Sequence, residues 1–121
     1  MIIDSTFIVD VLRNEKNAIR FLESKEESSL FQISAQSVFE IYQFIGKQKI
    51  DEFFIQMPII SVSFEIAKIA GEIQRMLKLK GQEIDNADCI IAATALSLKE
   101  AVITRNVKHF SRIPNLEIIE Y

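Results

Sequence analysis

Apolar positions along the chain fall into two rhythms. Short uninterrupted apolar runs alternate with longer stretches in which apolar residues recur every three or four positions. The first rhythm belongs to buried strands and the second to amphipathic helices. MIID, at residues 1–4, reads as a short buried strand. STFIVDVLRN then predicts a helix with Phe7, Ile8, Val11 and Leu12 on one face. EKNAIRFLESKE predicts a second helix, with Ile19 and Leu22 three apart, and LFQIS a second strand. Ser34 or Ser37 can cap a helix from about Ala35 to Gly46, because a serine hydroxyl accepts a free amide hydrogen bond. IDEFFIQM reads as a helix ended by Pro58, and Ile59 to Val62 as a strand. FEIAKIAGEIQRMLKLKG gives the clearest helix, striped by Ile66, Ile69, Ala70, Ile73 and Leu77 and stopped at Gly81. DNADCIIAATALSL is apolar nearly all round, which predicts a buried helix. AVIT and LEIIE close the series as strands.

Short apolar strands separated by helices indicate an α/β sandwich with a mainly parallel sheet. The chain of 121 residues fits one domain, residues 1–121, without repeats or linkers. Three glycines and two prolines imply short loops. In parallel sheets the ligand site lies beyond the carboxyl ends of the strands. That rule puts Asp4 and the TRN of Thr104 to Asn106 at the site edge, since both directly follow strands.

Composition narrows the picture. A chain 49% hydrophobic and 26% charged can build a core without disulfides. One cysteine, Cys89, excludes an internal disulfide and a cysteine zinc cluster, and it reads as a small buried hydrophobe. No window is apolar for long enough to span a membrane, and the N-terminus lacks signal-peptide features, so a cytoplasmic protein is expected. A net charge of −3 argues against a general nucleic-acid binder, though not against an enzyme that gathers acids in one pocket. The nine phenylalanines read as core or interface.

The acids carry the chemistry. Asp4 leaves a buried strand and needs a partner, or caps the next helix with Ser5 or Thr6. Glu40 sits among Val38, Phe39, Ile41 and Tyr42, so it is expected to avoid open water, unless its helix exposes it. Asp85 can cap the helix that follows, with Asp88 in its first turn, where the helix dipole favours the ionised form. Asp4, Glu40 and Asp88 all stand near predicted strand ends, and the fold can bring them together. Clustered carboxylates repel unless something positive lies among them, and hard divalent cations prefer oxygen ligands. Such a cluster with bound metal activates water and stabilises phosphoryl oxygens.

Four segments, in order, resemble the PIN-domain ribonucleases, specifically the VapC toxins of toxin–antitoxin pairs. They are MIIDSTFIVDVLR, ISAQSVFEIYQFIG, DNADCIIAATALSL and AVITRNVKHFSRIPNLEIIEY. The resemblance spans nearly the whole chain, and its most specific piece is DCIIAATAL followed by VITRNVKHFSRIP. It implies a three-layer α/β/α sandwich and Mg²⁺- or Mn²⁺-dependent cleavage of RNA, leaving 5′-phosphate and 3′-hydroxyl ends. Asp4, Glu40 and Asp88 match the family's acids and are the implied metal ligands. Asn106 stands where many relatives carry a further Asp, which puts a fully occupied second metal site in doubt. Ser5 or Thr6, and Thr104, match small hydroxyls that bond a carboxylate or the scissile phosphate. Asp85 lies outside the core match, as helix cap first and outer acid second. A small antitoxin partner and a homodimer are also implied, with the phenylalanines of IDEFFIQM as a candidate interface.

Arg13, Lys16, Arg20, Lys47, Lys49, Arg75, Lys78, Lys80, Arg105, Lys108 and Arg112 are scattered over the chain, and most charges of this kind are solvated surface. Arg105 adjoins the site and is the first expectation for RNA contact, followed by Arg13 and Lys108. His109, the one histidine, is read as structural or surface, since metal-assisted hydrolysis needs no such base. Two other functions compete. One is a catalytically weak PIN-fold RNA-binding or scaffold protein, for which Asn106 speaks. The other is a phosphotransfer receiver-like domain with Asp4 as nucleophile, disfavoured by the missing paired acid in DST.

Overall fold

The computed structural model of the chain describes residues 1–25, 30–45 and 50–121. In order come β1 (Ile2–Ile3), α1 (Ser5–Leu12), α2 (Lys16–Ser24), β2 (Gln32–Ser34), α3 (Ala35–Phe44), α4 (Ile50–Ile55) and β3 (Ile59–Ile60). They are followed by α5 (Phe64–Leu79), α6 (Asn86–Leu98), β4 (Val102–Ile103), α7 (Val107–Phe110) and β5 (Ile118–Ile119). The strands form one sheet in the order β3-β2-β1-β4-β5, and every pairing is parallel. Helices cover both faces of such a sheet, which is why its strands read as apolar runs rather than alternating ones.

Successive strand side chains point to opposite faces. Ile2, Val102 and Ile118 join a core with α5, α6 and Phe110 of α7. Ile3, Ile33, Ile103 and Ile119 join a second core with α1 to α4. The result is the three-layer α/β/α sandwich, with two cores back to back. Each fully buried isoleucine contributes roughly 1.5–3 kcal/mol of transfer free energy, so the two-residue central strand alone anchors both layers.

Ser34, not Ser37, caps α3, accepting from the Gln36 amide at 3.2 Å. α5 ends where Gly81 takes the left-handed conformation (φ 65°) and Gln82 N–H bonds back to Leu77. This closure satisfies carbonyls that the last turn leaves open. α6 is buried because it lies between the sheet and α5, and its alanines Ala92, Ala93 and Ala95 are fully covered.

Several sequence expectations change. Strands are shorter than their apolar runs, with LFQIS pairing only at Gln32–Ser34 and PIISVS only at Ile59–Ile60. α7 was not expected, because one helical turn is too short for periodicity to register. Phe54 of IDEFFIQM packs inside on Tyr42, and Phe53 sits edge-on against it. That helix therefore buries Phe54, leaves Phe53 half-buried and presents Ile55 to solvent. Gly46, Lys47 and Lys49 lie outside the described residues. Among the described residues no helix is long and apolar enough to cross a membrane.

Candidate active site

From β1 the chain builds β2 and β3 on one side, then crosses to build β4 and β5 on the other. A crevice opens at such a switch, beyond the carboxyl ends of β1 and β4. Asp4 leaves β1 there and Thr104 leaves β4. Asp4 is 2% exposed, and both of its oxygens are satisfied. Oδ1 accepts from the Ser5 amide at 2.7 Å and the Ser5 hydroxyl at 3.3 Å. Oδ2 accepts from Thr6 Oγ1 at 2.9 Å and Thr104 Oγ1 at 2.7 Å. Thr104 Oγ1 in turn accepts from the Asn106 amide at 2.9 Å, and Thr6 Oγ1 from the Arg105 amide at 3.2 Å. The hydroxyls singled out in the sequence thus all bond Asp4.

Glu40 reaches the same crevice from α3. Its Oε1 is buried and finds no hydrogen-bond partner among the described residues. Its pKa is pushed up from 4.5 to about 7, by burial first and then by the charges of Asp4, Asp88 and Asp85. The Ser5 hydroxyl works against that rise. Burying a carboxylate and crowding it with acids both favour its neutral form.

Asp88, in the first turn of α6, is 8% exposed. Asn106 Nδ2 donates to its Oδ2 at 3.3 Å, and His109 Nδ1 lies 3.2 Å from the same oxygen. Burial pushes the Asp88 pKa up, with Asp4 and Asp85 adding to the rise and His109 opposing it. The first-turn position therefore does not keep Asp88 below the ordinary aspartate range, since burial raises its pKa. His109 is likewise not a surface residue in chemical terms. Its Nδ1 is 2.7 Å from Asn106 Nδ2, one turn along α7, so both side chains face Asp88.

Asp85 occupies the N-cap position of α6 with extended backbone, yet its carboxylate accepts no cap hydrogen bond. It is exposed and acts at a distance, as a charge on Glu40 and Asp88. The start of α6 is held instead by Gln74 of α5, which bonds Ile84 and the Asn86 side chain. Arg112 adds donors to the Gln82 and Glu83 carbonyls at 3.3 and 3.1 Å, so its role is structural.

Arg105, the first expectation for RNA contact, lies beside the site and is tied to α1. Its guanidinium is paired with Asp10, a buried acid of α1, although the side chain stays 60% exposed. It lines a cleft of about 160 Å³ with Ser5, Thr6, Val9, Glu40 and Phe44. Arg13 and Lys108 are exposed, at the end of α1 and on α7. Another hollow, about 560 Å³, runs along α5 past Gln74 and Asn86 and holds none of the three acids.

The donor set of Asp4, Glu40 and Asp88 is all oxygen, the chemistry a hard divalent cation takes. The partnerless Glu40 oxygen fits a cation too. Among the described residues, however, no three His, Cys, Asp or Glu side chains close into a ready cage. Mg²⁺ commonly keeps several waters and uses one or two carboxylates, so an open arrangement fits such an ion better than Zn²⁺.

Residues 1–116 match the PIN domain family. The chain is 30% identical over 120 residues to ribonuclease VapC19 of Mycobacterium tuberculosis, covering 96% of each. It is 37% identical over 71 residues to ribonuclease VapC2 of Rickettsia felis, covering 59% of this chain and 53% of that one. The fold matches VapBC2 of Rickettsia felis, solved bound to a promoter DNA fragment, with a TM-score of 0.87 at 26% identity over 99% and 97% of the two chains. VapBC-1 of nontypeable Haemophilus influenzae matches with a TM-score of 0.83 at 26% identity over 98% and 96%. The chain belongs to the PIN-domain family, among the VapC ribonucleases.

Proposed function

We propose that this chain is a VapC-type endoribonuclease, the toxin of a toxin–antitoxin pair, which hydrolyses RNA phosphodiester bonds in the crevice between β1 and β4. Asp4, Glu40 and Asp88 are assigned as the residues that hold Mg²⁺ or Mn²⁺. The buried Glu40 Oε1, without a partner among the described residues and crowded by acids, carries this reading, because added positive charge relieves both the repulsion and the lost hydration. When bound, a divalent cation supplies charge that offsets the phosphate and makes the attacking water more acidic.

The remaining work falls to the chain. The hydroxyls of Ser5, Thr6 and Thr104 hold the Asp4 carboxylate in place at the end of β1. Asn106 turns Asp88 by a neutral amide donor, and His109 stands behind the same oxygen. Arg105 faces the cleft beside Glu40 and receives a phosphate. Lys108 and Arg13 extend the contact to flanking phosphates, and Asp85 serves as an outer acid. Products with 5′-phosphate and 3′-hydroxyl ends follow from the resemblance.

VapBC complexes among the solved relatives support an antitoxin partner for this chain. A basic side chain of such a partner would find the acid cluster attractive. A cytoplasmic setting and a homodimer complete the reading. The competing view, a PIN-fold RNA-binding scaffold, draws on Asn106, which brings an amide where many relatives bring an acid.

Cleavage of purified RNA with Mg²⁺ or Mn²⁺ separates the two. The wild-type chain is expected to cut and to stop when EDTA is added. Asp88→Asn is expected to slow cutting by at least about 100-fold, since it removes a direct ligand and loss of an outer partner alone costs about 10–100-fold. A folded Asp88→Asn protein that cuts at the wild-type rate sinks the assignment, and a wild-type chain that binds RNA without cutting it favours the scaffold.

A further inference from the structure

Asp10 lies on α1 outside the acid cluster, and it is 3% exposed. A buried carboxylate needs partners, and its partners come from the far end of the chain. Tyr121 Oη donates to Asp10 Oδ2 at 2.7 Å. Arg105 Nη1 lies 3.0 Å from both Oδ1 and Oδ2. Tyr121 stays protonated as a donor, since burial and the adjacent Asp10 push its pKa well above the ordinary tyrosine value. Its ring packs edge-on against Phe7 with centroids 4.8 Å apart, so the hydroxyl cannot swing away freely.

This arrangement does more than satisfy an acid. A guanidinium offers five N–H donors in a fixed fork. Asp10 engages Nη1 alone, and 60% of the side chain remains open. The same residue is tied at its other end, because its backbone amide donates to Thr6 Oγ1, which itself donates to Asp4. Arg105 is thus fixed relative to Asp4 through the main chain and relative to α1 through its head group. Its free edge borders the cleft that Ser5, Thr6 and Glu40 share. A long flexible side chain immobilised before its ligand arrives gives up less entropy on binding.

We infer that Asp10 and Tyr121 are positioning residues that hold the Arg105 guanidinium beside Glu40, where it meets a phosphate of an RNA strand. The inference rests on the ribonuclease reading for the identity of the ligand, and on the geometry for the rest.

The test is binding of a fluorescent single-stranded RNA oligonucleotide in EDTA, read by anisotropy across salt concentrations, with cleavage measured separately. Arg105→Ala is expected to weaken binding about tenfold, as loss of a charge-assisted hydrogen bond does. It should also lower the slope of log affinity against log salt by about 0.7, one phosphate contact on a single strand. Tyr121→Phe keeps the packed ring and removes only the hydroxyl, so the fold is retained. It should weaken binding about threefold in the wild-type background, the scale of one neutral hydrogen bond. In the Arg105→Ala background it should do nothing, because residues acting through one partner are not additive. Asp10→Asn should likewise lose its effect on binding once Arg105 is gone.

A Tyr121→Phe effect of equal size in both backgrounds overturns the inference and leaves Tyr121 a packing residue. Absence of RNA binding by the wild-type chain overturns it as well. Binding that follows the expected pattern without any cleavage in Mg²⁺ or Mn²⁺ overturns the ribonuclease reading instead.

Discussion

Asp4 and Glu40 face the same crevice, but their surroundings differ. Around Asp4, on the strand side, the fold supplies an amide and three hydroxyls, and the carboxylate is fully bonded. On the helix side, Glu40 has a buried oxygen with no partner among the described residues and a pKa raised to about 7, and burial raises that of Asp88 as well. Strand ends are rigid and deliver backbone and short hydroxyls at fixed distances. The helices deliver long or charged groups into a space that other acids already occupy. One half of the site is complete in the protein alone, and the other is completed by whatever positive charge enters.

The widest gap between the halves should appear on adding metal. At about a hundredfold excess over its dissociation constant, an ion that binds only the folded chain stabilises it by about 2.7 kcal/mol. Mg²⁺ or Mn²⁺ is therefore expected to raise the melting temperature at pH 8. The gain should shrink at pH 5, where Glu40, with a pKa of about 7, holds a proton that competes with the ion. Calorimetric scans with and without metal at both pH values check this. An equal gain at both values would mean that Glu40 is not part of the ion's surroundings.

The contrast was only half legible in the sequence. The strands, the striped α5 and the buried α6 follow from apolar period alone, and both core faces follow from the alternation of Ile2 with Ile3 and Val102 with Ile103. Asp4 and its hydroxyls were readable because they are neighbours along the chain or follow parallel strands that must pair. His109 was read as structural or surface, and its contact with Asp88 was not foreseen, although its spacing of three from Asn106 puts both on one side of a helical turn. Asp10 interrupts an apolar stretch, a visible oddity, but its partners Arg105 and Tyr121 lie at the other end of the chain, and no local rule connects them. Asp85 shows the opposite failure. Residue type and position both say cap, and the backbone obeys, while the side chain turns to solvent.

A second prediction targets the complete half. Thr104→Val keeps the shape but removes a hydroxyl that is fully buried, donates to Asp4 and accepts from the Asn106 amide. Leaving a buried donor unsatisfied costs about 2 kcal/mol. Urea denaturation should show that loss at unchanged slope, and cleavage should fall because Asp4 and Asn106 are both released. A variant as stable as wild type would mean that water replaces the hydroxyl, so that the strand side is no more complete than the helix side.

The smallest effect expected is a gain, and it belongs to the incomplete half. A carboxyl whose pKa rises from 4.5 to about 7 on folding holds its proton more tightly in the folded chain than in the unfolded one. By linkage, the stability it contributes is fully present below pH 4.5 and is lost as pH rises through about 7, where the folded chain also lets the proton go. Asp88, also shifted upward, adds to the same trend. Without metal, the wild-type chain should therefore become less stable across this window. Glu40→Gln removes the titrating group while keeping most of its shape. Because Glu40 is only half-buried, solvent screening keeps the benefit small. The variant should still be the more stable protein at pH 8 in EDTA, with a flatter pH profile, and it should cleave RNA far more slowly. The comparison turns on the two results together. A substitution that stabilises the metal-free fold while removing activity identifies a residue retained for the ion. A variant that is less stable than wild type at pH 8 would show that the Glu40 carboxylate already has a partner, which would remove the distinction between the two halves.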